Sequence, residues 1–282
     1  MNKIVVIGGG TMGLDIATVF ARTGHSVVVR EISQELADRA GARLEESLSK
    51  LVSRNRLDAD KKSAILSAIT FTTDISLAAD ADLVIEAAVE KLDIKQRIFA
   101  ELDEFCRADT IFATNTSSIS ITDIAAATRR PDRFIGMHFF NPATVMKLVE
   151  LIRGIHTSQQ TFDTVARLCA ALDKEAVEIT DSPGFVVNRV LIPMINEAIG
   201  LLEAGVASAE GIDTAMRLGA NHPIGPLALG DLVGLDVCLA IMDTIRNQTG
   251  NSKYEAAPLL RRMVADGLLG RKTGKGFYDY SK

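Results

Sequence analysis

The 282-residue chain contains no tryptophan, three cysteines and four histidines. The cysteines, Cys106, Cys169 and Cys238, are far apart in the sequence, so no two of them have the spacing of a metal site or a redox motif. We therefore expect three buried thiols, an odd number that suits a reducing compartment. The scarcity of histidine narrows the search for a catalytic base to four side chains.

The sequence also lacks long apolar runs and an excess of positive charge. No stretch is apolar over the roughly 20 residues that a transmembrane helix requires. Gly8 to Gly10 interrupt the short apolar run near the N-terminus, which argues against a signal peptide. Lys and Arg number 31 against 36 Asp and Glu, a net charge of −5 that disfavours nucleic acid or an anionic membrane as the main partner. We expect a soluble cytoplasmic protein without a metal.

Short β-branched runs alternate with helical patterns through the first half of the chain. Continuous apolar runs at Ile4–Ile7, Val27–Val29, Leu83–Ile85 and Ile111–Ala113 are typical of parallel strands that are covered on both faces. The stretch from Glu35 to Arg54 carries apolar residues at three- and four-residue spacing, which predicts an amphipathic helix. The alternation indicates an α/β fold with a doubly wound sheet.

Two further strand candidates, Phe134–Phe140 and Lys147–Ile152, are joined by a short loop that contains Pro142. They predict an antiparallel hairpin that finishes the sheet. After Asp181–Gly184 the pattern becomes helical, and the sequence predicts two domains: residues 1–183 with the sheet, and residues 184–282, all helical.

The helical domain opens with the stretch from Phe185 to Leu202, which is apolar on nearly every face. Such a helix is buried in a core or in a subunit interface, so we expect a homodimer that pairs through this domain. Further helices are predicted over Ala209–Arg217, Leu227–Arg246 and Pro258–Ala265.

The turn after the first strand has the pattern Gly-x-Gly-x-x-Gly, at Gly8, Gly10 and Gly13. In a dinucleotide-binding domain, the first glycine allows the tight turn, the second lets the backbone approach a pyrophosphate, and the third lets helix and strand pack closely. A helix is predicted over Met12–Ala21, and its N-terminus would offer free N–H groups to the phosphates, so Thr11 and Met12 are candidate cofactor contacts. The context of strand, turn and helix therefore predicts a Rossmann-type domain.

The choice between NAD and NADP depends on two neighbours at the end of the second strand. Glu31 can accept hydrogen bonds from the adenosine ribose and would repel a 2′-phosphate, whereas Arg30 could attract one. The carboxylate at the strand tip is the more diagnostic of the two. We expect NAD, with NADP as the alternative.

One histidine, His138, closes an apolar strand beside Phe139 and Phe140. There it is a candidate general base, although a structural core histidine is the alternative. If the hairpin loop is centred on Thr144, His138 and Glu150 are equidistant from the centre and face each other, close enough to hydrogen-bond. Such a pair fixes the tautomer and stabilises the imidazolium. A solvated edge residue is the alternative for Glu150.

Five stretches carry a family resemblance, in the same order along essentially the whole chain. They are Asn115–Ser118, His138–Pro142, Pro183–Arg189, Gly225–Pro226 and Lys272–Tyr278. With them the chain resembles the 3-hydroxyacyl-CoA dehydrogenase family, and most of all its bacterial 3-hydroxybutyryl-CoA dehydrogenases. The resemblance implies hydride transfer between NAD(H) and C3 of an (S)-3-hydroxyacyl-CoA or 3-oxoacyl-CoA.

The resemblance also implies residue roles. His138 would be the general base, Glu150 its partner, and Ser117 and Asn188 would hold the oxygens of the substrate. Because Asn188 follows the domain junction, both domains would complete the site. Implied cofactor contacts, besides the glycine turn and Glu31, are Glu90, Lys95, Asn115, Ser117, Asn141 and Lys272.

Implied contacts to coenzyme A are Ser47, Arg54 and Ser117, and Lys50 lies one helical turn before Arg54. Such cations suit phosphates, although a solvated charged face is the alternative. The chain departs from the family pattern at Glu31, where aspartate is usual, and at Arg54, where lysine is common and the donor geometry differs.

Two other functions compete with this interpretation. A sugar-acid dehydrogenase of the same superfamily, acting on a gulonate-like substrate, would share the glycine turn and the histidine–glutamate pair. A non-catalytic structural protein could keep the fold alone. The stripe of Ser47, Lys50 and Arg54 favours coenzyme A, and the presence of His138 and Glu150 disfavours a structural protein.

Overall fold

The computed structural model describes residues 1–281, and the chain divides into two units, Met1–Ser182 and one that begins at Pro183. The strands are β1 (Lys3–Ile7), β2 (Ser26–Arg30), β3 (Ile69–Thr72), β4 (Leu83–Glu86), β5 (Ile111–Thr114), β6 (Phe134–Phe139), β7 (Leu148–Arg153) and β8 (Glu175–Thr180). The helices of the first unit are α1 (Thr11–Arg22), α2 (Gln34–Ser53), α3 (Ala59–Ala68), α4 (Leu92–Phe105), α5 (Ile121–Ala125) and α6 (Gln159–Ala171). Those of the second are α7 (Val187–Glu203), α8 (Ala209–Gly219), α9 (Pro226–Val233), α10 (Leu235–Thr249) and α11 (Pro258–Ala265).

The eight strands form one sheet in the order β3-β2-β1-β4-β5-β6-β7-β8. The first six strands in this order run parallel to one another. Strand β7 runs antiparallel to β6, and β8 runs parallel to β7. With helices on both sides, the doubly wound α/β fold is confirmed.

The prediction that the hairpin finishes the sheet is wrong, because β8 continues it beyond β7. Edge position explains the error. Most side chains of β8 are exposed, so Glu175–Thr180 has no continuous apolar run to signal a strand. The opposite edge strand, β3, was overlooked for the same reason, since only its first residue, Ile69, is buried.

The core of the first unit lies between the central strands and the helices. Ile4, Val6 and Ile85 are fully buried, and they pack with Phe20 of α1 and Leu48 of α2. Each side chain of this kind contributes about 1.5–3 kcal/mol when it is removed from water. Parallel strands need such cover on both faces, which is why their sequences are continuously apolar.

The β6–β7 hairpin has the expected register, with Gly136 opposite Ile152 and His138 opposite Glu150. Its loop contains a cis peptide bond between Asn141 and Pro142.

Two side chains from elsewhere in the unit hold the hairpin loop. The Lys174 amine donates to the carbonyl oxygens of Ala143 and Met146, at 2.6 and 2.7 Å, and the Asp15 carboxylate accepts from the Ala143 N–H at 2.9 Å. Because these bonds come from α1 and from the residue before β8, they tie the loop to a helix and to the edge of the sheet.

The helical unit differs from expectation at one place. The stretch predicted as one helix, Leu227–Arg246, is two, because Gly234 between α9 and α10 has a φ of +103° that helices do not adopt. Helix α7 is not covered on all faces. It buries Ile195 and Ile199, while Val190 is 67% exposed.

The C-terminal segment is fastened to the helical unit by a buried carboxylate. Asp231, at 1% exposure, accepts from the N–H groups of Phe277 and Tyr278.

Within residues 1–281 no helix combines the length and the apolarity that crossing a membrane demands.

Candidate active site

The turn between β1 and α1 depends on close backbone packing. Gly8 has a φ of +99°, and a β-carbon there would lie 2.8 Å from the carbonyl oxygen of Ala87. A β-carbon on Gly13 would lie 1.8 Å from the carbonyl oxygen of Gly8. Both positions therefore accept glycine alone, for the reasons that the sequence pattern suggested.

Gly10 differs, because a β-carbon added there would meet no atom within 4 Å. The space in front of the N-terminus of α1 is thus open, and the backbone there can approach a ligand. Nearby, the Glu31 carboxylate accepts from the Gly9 N–H at 2.6 Å, which places it beside the turn. An open turn at a helix N-terminus with a carboxylate next to it fits a dinucleotide.

The candidate base and its partner are both buried. His138 is 6% exposed and Glu150 is 1% exposed, and Nδ1 of the imidazole lies 2.7 Å from a carboxylate oxygen of Glu150. This bond is made by the tautomer that carries its proton on Nδ1, which leaves the lone pair on Nε2. A proton taken up at Nε2 would give an imidazolium stabilised by the carboxylate.

The loop after β5 is fastened beside the histidine. The Asn115 side-chain oxygen accepts from the Phe139 N–H at 2.9 Å, one residue beyond His138. Ser117 donates to the same carboxylate oxygen of Glu90 twice, from its N–H at 2.8 Å and from its hydroxyl at 3.2 Å.

The charge of Glu90 is favoured by its neighbours. Partial burial raises the pKa of this carboxyl, but the Lys95 charge and hydrogen bonds from Thr116 and Ser117 outweigh burial and hold the pKa below its usual value. Glu90 is therefore an anion at neutral pH and a fixed acceptor for the loop.

A cavity of about 270 Å³ between α1 and α2 brings together part of the predicted coenzyme A stripe. Ser47 and Lys50 line it together with Thr11, whereas Arg54, at the exposed C-terminal end of α2, does not.

The cavity also exposes two cations that the sequence reasoning missed, Arg22 and Arg43. Arg43 donates to the Thr11 hydroxyl at 3.2 Å, so it links α2 to the glycine turn. The signal for Arg43 was present in the sequence, because it lies one helical turn before Ser47 on the same face.

The remaining predicted residues are found as follows. Asn141 is exposed just after β6, Asn188 lies in the first turn of α7, and the Lys272 amine pairs with Asp236 at 2.5 Å.

The three cysteines are buried, and burial raises the pKa of Cys169 and of Cys238 to about 12, so neither thiol is reactive at neutral pH. Among the described residues, no group of three or more His, Cys, Asp or Glu could hold a metal ion.

Comparison with known protein families matches the chain in two consecutive parts. Residues 3–182 match the model of the 3-hydroxyacyl-CoA dehydrogenase NAD binding domain, and residues 184–280 match that of the C-terminal domain of the same family.

Individual relatives match over almost the full length. A 3-hydroxybutyryl-CoA dehydrogenase of Clostridioides difficile is 55% identical, over 99% of this chain and 100% of the relative. The human mitochondrial hydroxyacyl-coenzyme A dehydrogenase is 46% identical, over 99% of this chain and 91% of its own. The crystal structure of (S)-3-hydroxybutyryl-CoA dehydrogenase from Ralstonia eutropha superposes with a TM-score of 0.95 at 48% identity, covering 100% of both chains.

Two glycines of the turn should respond differently to an added methyl group. Gly13→Ala is expected to lower the free energy of unfolding by about 1–3 kcal/mol, because its β-carbon overlaps the Gly8 carbonyl. Gly10→Ala is expected to cost much less stability but to weaken NADH binding, because the methyl group fills the open space in front of α1. Urea unfolding and NADH fluorescence titration measure the two effects. Equal losses of stability would contradict this assignment.

Proposed function

Because the chain belongs to the 3-hydroxyacyl-CoA dehydrogenase family, we propose that it interconverts (S)-3-hydroxybutyryl-CoA and acetoacetyl-CoA with NAD(H). The observation that carries the proposal is the buried pair of His138 and Glu150, 2.7 Å apart, in the same unit as the glycine turn. The names of the relatives from Clostridioides difficile and Ralstonia eutropha support a four-carbon acyl group.

His138 acts as the general base and acid of the reaction. In the oxidation direction its Nε2 takes the proton of the 3-hydroxyl group, and in the reduction direction the imidazolium returns a proton to the ketone oxygen. NAD supplies the hydride acceptor when it is bound. Glu150 lowers the cost of the imidazolium, and base catalysis of this kind contributes roughly a hundredfold to ten-thousandfold in rate.

Ser117 holds an oxygen of the substrate in this proposal. The hydroxyl of Ser117 has a defined position, because the Glu90 carboxylate accepts from both its N–H and its hydroxyl. A group held in a fixed position, on a loop that is bonded to the residue after His138, orients the reacting carbon and reduces the entropy cost of reaching the transition state.

The cavity between α1 and α2 receives the phosphates of coenzyme A in this proposal. Arg22, Arg43 and Lys50 supply positive charge, and Ser47 supplies a hydroxyl. Asp15 and Glu46 also line the cavity, and Glu46 pairs with Lys50 at 2.7 Å, so a phosphate competes with Glu46 for that amine. Guanidinium and ammonium groups form charge-assisted hydrogen bonds to phosphate oxygens. A sugar acid carries no phosphate, so these cations favour the coenzyme A thioester over the gulonate-like alternative.

The substrate class is tested with the purified chain and NADH. Acetoacetyl-CoA is expected to be reduced with a much lower KM than acetoacetyl-pantetheine, which has the same reacting carbons and no phosphoadenosine. Arg43→Ala combined with Lys50→Ala is expected to raise the KM for acetoacetyl-CoA by about tenfold or more, from the loss of two charge-assisted contacts, and to leave the KM for acetoacetyl-pantetheine unchanged.

Arg39→Ala is the matched control, because Arg39 is an exposed cation of α2 that pairs with Glu35 and does not line the cavity. It should leave both KM values as they are. Turnover of a gulonate-like sugar acid with NAD, and none of acetoacetyl-CoA, would replace the proposal with the sugar-acid dehydrogenase.

The acid–base pair is tested by two substitutions. His138→Ala is expected to lower kcat at least a hundredfold while NADH still binds, because the base is lost and the cofactor turn is untouched. Glu150→Gln is expected to lower kcat less, because it keeps the size of the side chain and removes the charge that stabilises the imidazolium. A His138→Ala enzyme that retains more than about a tenth of the wild-type rate would exclude His138 as the base.

We further propose that two chains pair through the helical unit. Val190 on α7, Leu218 on α8 and Leu232 on α9 are 67%, 81% and 52% exposed, so three helices of this unit present large apolar side chains to water. A symmetric interface would bury these side chains on both copies. Light scattering at micromolar concentration should give the mass of a dimer, and the mass of a monomer would contradict pairing.

A further inference from the structure

The loop between β6 and β7 is closed on itself and filled by a buried lysine. The carbonyl oxygen of Pro142 accepts from the N–H groups of Val145 and Met146, both at 3.0 Å. Into this turn the Lys174 amine donates to the carbonyl oxygens of Ala143 and Met146, at 2.6 and 2.7 Å. Lys174 is 9% exposed, and burial of an ammonium group is tolerated where acceptors surround it. These bonds give the loop one defined shape.

Lys174 is fixed to the strand that carries Glu150. It directly precedes β8, and the N–H of Glu175 donates to the carbonyl oxygen of Lys147 at 2.8 Å. In the ladder that follows, Glu175 lies opposite Leu148, the first residue of β7. Because the ladder joins β8 to β7, the Lys174 amine holds the loop in place relative to Glu150.

Asp15 holds the same loop from α1. Its carboxylate accepts from the Ala143 N–H at 2.9 Å, in a residue that is 1% exposed. Burial raises the pKa of Asp15, although bonds from the N–H groups of Ala143 and Thr144 and the charge of Arg22 oppose the rise. A buried N–H group without an acceptor is costly, so the loop depends on this carboxylate.

Asp15 also faces the cavity between α1 and α2. It lines that cavity together with Thr144, the residue on which the hairpin loop is centred. The hairpin that carries His138 and Glu150 therefore supplies part of the wall of the proposed coenzyme A site. As an anion there, Asp15 repels a phosphate group.

We propose that Asp15 and Lys174 are positioning residues for the acid–base pair, because they fasten the loop between His138 and Glu150 to the wall of the coenzyme A cavity. The proposal rests on the proposed function, in which His138 moves the proton. Asp15 then acts in two separable ways. As a hydrogen-bond acceptor it supports kcat through the hairpin, and as a charge it weakens the binding of phosphate.

The test separates the hydrogen bond of Asp15 from its charge, at saturating NADH. Asp15→Asn keeps an oxygen that can accept from Ala143 and removes the charge. Asp15→Ala removes both, and the fold should tolerate it because Asp15 is half-buried and alanine favours a helix. Asp15→Ala is expected to lower kcat about tenfold, the effect of a small misplacement of the base. Asp15→Asn is expected to retain most of kcat.

The Michaelis constants should follow the charge instead of the hydrogen bond. Both variants are expected to lower the KM for acetoacetyl-CoA by about twofold to fivefold, because each removes an anion from the cavity. The KM for acetoacetyl-pantetheine should stay the same, since that substrate lacks the phosphoadenosine. Equal losses of kcat in Asp15→Asn and Asp15→Ala would refute the proposal, and so would an Asp15→Ala enzyme with the wild-type kcat.

Two control variants distinguish positioning from loss of stability and from loss of charge. Phe20, also on α1, is 0% exposed, so Phe20→Leu lowers stability without removing a loop bond. Lys147 is an exposed lysine whose amine pairs with Asp173. Lys174→Met should lower kcat at least as much as Asp15→Ala, and Lys147→Met should not. A Phe20→Leu enzyme that loses as much kcat as Asp15→Ala, when both are fully folded, would contradict a positioning role.

The decisive measurement combines Asp15→Ala with His138→Ala. If Asp15 acts through the base, the double variant has the kcat of His138→Ala alone, because the two effects are not additive. Losses of kcat that multiply would overturn the proposal, since they would place the action of Asp15 elsewhere. Failure of the proposed function is distinguishable, because it appears as absent acetoacetyl-CoA turnover in the unaltered enzyme, and the positioning role falls with it.

Discussion

The antiparallel pairing of β6 with β7 is the constraint on which the chemistry depends. Side chains alternate between the faces of a strand, so a register shift by one residue would carry Glu150 to the opposite face from His138. The observed register keeps them 2.7 Å apart in a buried environment. The bonds from Lys174 and Asp15 to the hairpin loop oppose such a shift, because they fix the loop that sets the register.

The charged residues of the first unit fall into two groups: buried charges that bind other protein groups, and exposed charges that a ligand can reach. Glu86, Lys95 and Asp103 are nearly inaccessible and make short bonds to other protein groups, so their charge is already compensated. Arg43 and Lys50 are exposed at a cavity, where a ligand can reach them, and Lys50 also pairs there with Glu46 at 2.7 Å.

The sequence predicted the parts of the fold whose pattern is set locally. Continuous apolar runs identified β1, β2, β4 and β5. Centring the hairpin loop on Thr144 was sufficient to predict that His138 lies opposite Glu150. Edge strands β3 and β8 were missed because one-sided burial leaves no apolar run. The split at Gly234 and the contact of Lys95 with Glu86 depend on backbone angles and on long-range packing, which a single sequence does not display.

The parallel topology explains why residues scattered over the sequence converge. Gly8 follows β1, Glu31 follows β2, Glu90 follows β4, Ser117 follows β5 and His138 lies near the end of β6. Parallel strands place their carboxyl ends along one edge of the sheet, which is where α/β domains bind ligands. The apolar residues within the strands form the core, whereas the residues just beyond the strand ends are not part of that core. Apart from Gly8, where a β-carbon would collide with the Ala87 carbonyl, substitutions at these ends can thus change which cofactor or substrate binds and leave the sheet intact.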